Sequence, residues 1–192
     1  MARSLRIAFA GIAVVATCSL VALAQTNGTP ERYTATAVNM ERGGAGTLEI
    51  VVNRWSTDAE RQKLVSTLMD KGENKLLDAL QSAPKVGYIR TPNSIGWDLH
   101  YANRRPLPDG GEQVVIATDR PIGFREAANQ PRSIDYPFTV IEMHLNADGE
   151  GQGTMSVATK VMADKETGTI QLENFGTTPV MLTNIKREKM SQ

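Results

Sequence analysis

The chain has 192 residues, with 21 lysines and arginines balanced by 21 aspartates and glutamates, 2 histidines and 1 cysteine. Zero net charge, with no concentrated basic run, argues against a nucleic-acid partner or an anionic membrane surface, both of which call for clustered positive charge. The lone cysteine, Cys18, excludes an intrachain disulfide and a thiolate metal cluster.

The N-terminus reads as an export signal over residues 1–24. Arg3 and Arg6 form a short basic start, Ile7 to Ala24 is apolar or small throughout, and Ala22-Leu23-Ala24 supplies the pattern that a signal peptidase accepts. Two rival readings are an uncleaved membrane anchor and a lipoprotein signal around Val15-Ala16-Thr17-Cys18, in which Thr17 is bulky for the position. Cleavage after Ala24 removes both N-terminal arginines and Cys18, leaving a cysteine-free chain of slightly acidic balance. That length suits one domain with a single core. Periplasmic or extracellular localisation follows, with no membrane association after cleavage.

Residues 25–32 read as a flexible leader, and a single β-rich domain is expected over 33–188 with a short tail at 189–192. "YTATAVNM" (33–40) and "TLEIVVNRW" (47–55) are rich in β-branched side chains and flank the glycine-rich "ERGGAG", which predicts a hairpin. At Thr57 the period changes. Thr57 and Glu60 have the spacing of a capping box, and Leu64, Val65, Leu68 and Met69 recur at helical spacing up to Gly72. Leu76, Leu77 and Leu80 repeat the device before Pro84, so an αα-hairpin is expected over 57–83. Its apolar stripe is read as the face that packs on the sheet rather than as a docking face for a partner.

Strands are then expected at 86–90, 95–102, 112–118, 137–146, 153–163, 168–175 and 179–187, separated by turn sequences such as "LPDGG", "NADGEGQG" and "DKETG". The last four follow one another closely enough for an antiparallel meander. The fold class is therefore mainly β: an antiparallel β-barrel or two-layer sandwich of about nine strands with an inserted αα-hairpin. Along nearly the whole mature chain, "NRWSTDAER", "VGYIRTP", "GWDLHYA" and "ATDRPIGF … IDYPF" resemble an uncharacterised group of exported bacterial proteins. That resemblance implies export and a single domain, and carries no activity.

Asp98 and His100, and likewise Glu142 and His144, are spaced two apart, which places each pair on one face of a strand. Were the two strands adjacent and in register, the four would form a two-histidine, two-carboxylate metal site; otherwise each pair is a solvent face. No nucleophile elbow, phosphate loop or dinucleotide fingerprint occurs, and no cofactor is implied. The stretch 117–138 gathers Arg120, Arg125 and Arg132 with Asp119, Glu126 and Asp135. It is read as a salt-bridged clasp closing one end of the domain. The alternative is an anion-binding rim of Arg120 and Arg125 with Tyr136 beside them. The functional expectation is an exported, non-enzymatic domain that binds a small ligand or a protein partner. The alternatives are a metal-dependent or other hydrolase and an envelope-associated structural protein held by an uncleaved N-terminus.

Overall fold

Strict alternation of buried and half-exposed side chains, as in Glu112–Thr118, marks strands that cover a core on one face. The computed structural model describes residues 29–39, 44–92, 94–122, 135–175 and 178–190. The export signal expected over residues 1–24, and Arg125, Glu126 and Arg132 of the charged stretch, lie outside the described residues. The elements in chain order are β1 (Glu31–Asn39), β2 (Gly44–Val52), α1 (Asp58–Lys71), α2 (Glu73–Gln81), β3 (Gly87–Arg90), β4 (Trp97–Leu99), β5 (Tyr101–Pro106), β6 (Glu112–Thr118), β7 (Phe138–Leu145), β8 (Glu150–Asp164), β9 (Thr169–Asn174) and β10 (Val180–Lys189).

All pairings are antiparallel, in the order β4-β3-β2-β1-β10-β8-β7-β6-β5, with β9 attached to β8 outside this path. The sheet curls into a nearly closed barrel, and the helical hairpin is inserted between β2 and β3. Closure depends on one stretch of chain. Trp97 to Leu99 pairs with β3, whereas Tyr101 to Pro106 pairs with β6, so the two ends of the sheet are joined through a bend at His100. The seam is bridged by Ser56: its amide donates to the Ala102 carbonyl (2.8 Å), and its hydroxyl accepts from the Ala102 amide (3.1 Å). Inside lie Tyr33, Ile50, Ile89, Leu99, Ile116, Met143, Leu182 and Ile185, all fully buried.

Three details depart from the expected layout. The chain expected to bend only at its turns splits one strand (95–102) at His100 into β4 and β5. The leader expected to reach residue 32 ends earlier, because β1 begins at Glu31, whose carboxylate is itself buried. The last four strands are not a simple meander. β8 is 15 residues long and serves two partners: residues 150–155 pair with β10, and residues 159–164 pair with β9. The register shift between Phe138 and Val140 lets β8 bend between the two halves. Its second half and β9 therefore leave the barrel wall as a two-stranded arm. At Gly87 and Gly151 the neighbouring strand approaches so closely that an added Cβ would stand 1.9 Å from the carbonyl oxygens of Val51 and His144. Only glycine fits there.

The capping box forms as its spacing predicts. Thr57 Oγ1 accepts from the Glu60 amide (3.2 Å) and Glu60 Oε2 accepts from the Thr57 amide (2.8 Å). Arg54 adds a two-pronged contact to the same carboxylate, 3.0 Å on each side, and holds it below its ordinary pKa. Helices of this length are marginal alone. The hairpin is held by burying Leu68, Leu76 and Leu80 against Phe138 on the outer face of the barrel. Side chains of this size contribute about 1.5–3 kcal/mol each when buried.

Candidate functional site

The outer face of β5 to β8 is graded from apolar to polar, and pairing register sets the gradient. Nearest the helices, Tyr101, Ala117, Val140 and Ser156 form one cross-strand row, with Phe138 beyond it. The next row is Asn103, Val115, Glu142 and Thr154, and the third is Arg105, Gln113, His144 and Gln152. The helical hairpin covers only the apolar end. Leu68 and Leu80 seal it, while Leu64 and Val65 on α1 stand along its edge. The arm supplies the remaining wall through Val161, Ile170 and Leu172, of which the last two are 46 % exposed. Between helices, sheet and arm lies a groove of about 510 Å³, within the ~300–1,000 Å³ range of small-molecule sites.

The groove's mouth carries its polar groups. Glu142 Oε1 accepts from Gln113 and lies 2.8 Å from His144 Nε2, and these contacts, His144 first, hold its carboxyl below the usual range. At the helix-covered end, Arg61 of α1 lies beside Tyr101, whose pKa is raised chiefly by burial. Arg105 borders the mouth, and the ion pairs among the described residues do not include it. A second, largely polar depression of about 740 Å³ lies by the β7–β8 turn, lined by Asp109, Asn146, Asn184 and Lys186 among others. Its groups are mostly engaged: the Asn146 side chain caps the turn by accepting from the Asp148 and Glu150 amides, and Lys186 pairs with Glu150.

The four metal candidates do not come together. β4 pairs with β3, and β7 lies between β6 and β8, so no register can bring the two pairs side by side. Asp98 pairs with Lys85. His100 donates from Nδ1 to the Ala83 carbonyl (3.0 Å) and presents Nε2 to the nearly buried Asp119 at 3.8 Å. Glu142 and His144 do meet, as their spacing predicts, but as a pair at the groove mouth. Among the described residues, no three histidine, aspartate or glutamate side chains gather in a way that would hold a metal.

Of the expected clasp, Arg125, Glu126 and Arg132 lie outside the described residues. Among the described residues, Arg120 reaches its neighbour Asp119 (3.2 Å) with a side chain 56 % exposed, and Asp135 is exposed. The start of the connection is fastened by Thr139. This fully buried hydroxyl accepts from the Ile122 amide (2.8 Å) and lies between the carbonyls of Val157 (2.8 Å) and Arg120 (3.0 Å). Tyr136 donates to Glu173 (2.6 Å) and packs on Phe175, tying the arm's base; neither Arg120 nor Tyr136 lines the groove. A separate charged network ties β1 to β5. Glu31 accepts from Arg104 (2.9 Å) and from the fully buried Tyr33 hydroxyl (2.6 Å), Arg104 lies over the Trp55 ring at 4.8 Å, and Arg187 pairs with Glu112. Burial, then the contact with Glu31, raises the Tyr33 pKa.

Sequence reasoning missed the groove because its wall is assembled from five strands and two helices. A signal was present: Val114 to Ala117 is apolar at four consecutive positions and Val140-Ile141 breaks the alternation of β7, which marks strands covered on both faces. No family model matches the chain, and no match was found among curated proteins or among solved structures.

These contacts rank the charged residues for stability. Glu31→Ala leaves a buried tyrosine hydroxyl and Arg104 without their acceptor and is expected to cost about 2–3 kcal/mol. Arg120→Ala loses an exposed contact and should cost less than about 1 kcal/mol. Urea denaturation of both variants checks the ranking, and a larger loss at Arg120 would contradict it.

Proposed function

We propose that this protein is an exported, non-enzymatic binding domain whose ligand is a small apolar or amphipathic molecule lodged between the helical hairpin and the outer face of the barrel. One observation carries the reading: a preformed groove of ligand size, apolar along its floor and polar at its mouth. Covering apolar surface is favourable by about 25 cal/mol per Å², and Ile170, Leu172 and Val115 offer such surface in one concavity. The polar groups at the mouth are few and placed to orient a ligand, the arrangement typical of binding sites.

Titration with the neutral fluorophore N-phenyl-1-naphthylamine tests the groove. Enhanced, saturable fluorescence is expected, abolished or weakened about tenfold or more by Val115→Trp, which fills the groove from a position outside the sealed core. Unchanged thermal stability of that variant assigns the loss to filled space. Absence of saturable binding to the unsubstituted protein, or binding indifferent to Val115→Trp, contradicts the reading.

Export rests on the basic start, the apolar run and Ala22-Leu23-Ala24. Intact mass of the protein recovered from its native host is expected to place the mature N-terminus at Gln25. Retention of Met1 to Ala24, or a lipid mass on Cys18, would overturn it.

A further inference from the structure

We propose that the groove selects amphiphiles with an anionic head, specifically medium-chain carboxylates, and that Arg105 holds the head; this rests on the binding reading above. Three observations lead here. The first is direction. The groove-lining residues of β7 run Phe138, Val140, Glu142, a span of four residues or roughly 14 Å at the rise of a β-strand, comparable with an extended medium-chain fatty acid. Apolar contacts with Leu64, Leu68, Leu80, Val140 and Leu172 lie at one end, and hydrogen-bonding groups begin at the other. A ligand that is apolar throughout leaves the mouth unused, and one that is polar throughout leaves the floor uncovered.

The second is charge. Two guanidinium groups, Arg61 and Arg105, and one carboxylate, Glu142, border the groove. The carboxylate is engaged, with Gln113 and His144 both directed at its Oε1 atom. Arg105 is in none of the ion pairs among the described residues and acts on Glu142 only through space, helping to hold that carboxyl below its usual range, so its N–H donors are left to a ligand. A guanidinium presents paired donors that match a carboxylate in geometry as well as charge.

The third is placement. Arg105 stands opposite Gln113 in the outermost row, at the end of the apolar gradient. A head group bound there remains close to water while its chain is covered, which avoids the desolvation of a buried charge.

Displacement of N-phenyl-1-naphthylamine by laurate, dodecanol and dodecylamine, each kept below its micelle-forming or solubility limit, tests the inference. Laurate is expected to displace the probe best. Arg105→Gln should weaken laurate roughly fivefold to tenfold while leaving dodecanol within about twofold, and the unchanged dodecanol value shows that the groove is intact. If the probe binds but the three heads compete equally, if the amine is preferred, or if Arg105→Gln leaves laurate unaffected, the carboxylate selectivity is wrong and the groove reading stands. If the probe does not bind, both fall.

Discussion

Everything built on the outer face depends on the bend at His100. A strand that continued straight from Trp97 would pair with β3 along its whole length and leave β6 without its neighbour. By turning at His100, the chain changes partners from β3 to β6 and brings the two ends of the sheet together. The imidazole fixes the turn from both sides: Nδ1 holds the Ala83 carbonyl beyond the end of α2, Nε2 faces Asp119 at the end of β6, and the His100 amide donates to the Ala117 carbonyl. One side chain thus ties the barrel seam to the end of the helical hairpin. The hairpin's position relative to the sheet defines the groove, so the constraint that closes the barrel also shapes the candidate site.

Burial divides the molecule into two apolar systems with different consequences. The barrel interior is filled by side chains that are almost wholly buried, which leaves its chemistry to packing. The outer cluster under the helices is incomplete. Leu68, Leu76, Leu80 and Phe138 are sealed, but Leu64, Val140 and Val161 are only partly covered, and Ile170 and Leu172 are half open. Two short helices cover part of a face that four barrel strands and the arm leave apolar, and the uncovered remainder is the groove. The charged network of Glu31, Tyr33 and Arg104 serves another purpose: it satisfies polar groups where β1 enters the wall.

Much of the architecture was legible in the sequence because local rules act there. The capping box at Thr57, the helical spacing of Leu76 and Leu80, the turn glycines and the β6 boundaries all follow from neighbours in the chain. What was not legible depends on distant pairing. Nothing near His100 announces a bend, because its partners Ala83 and Asp119 are set by the barrel. The length of β8 disguised its two partners, so a meander was the natural expectation. The metal quartet failed for the same reason: i and i+2 place two side chains on one face, but strand order decides whether two such faces meet. Arg120 drew attention by its charge, whereas the fastening of that connection fell to the hydroxyl of Thr139, which has no distinctive pattern.

The claim that the groove is a binding site is tested most directly by mapping amide chemical shifts in ¹⁵N-labelled protein as laurate is added. Shifts are expected to concentrate on the inner faces of the helices from Leu64 to Leu80, on Tyr101, Asn103 and Arg105, on Gln113, Val115 and Ala117, on Phe138, Val140 and Glu142, and on Ile170 and Leu172, with Tyr33, Ile50 and Leu182 of the barrel interior unmoved. Shifts centred instead on Asp109, Asn146 and Asn184 around the polar depression, or no saturable shifts at all, would contradict it.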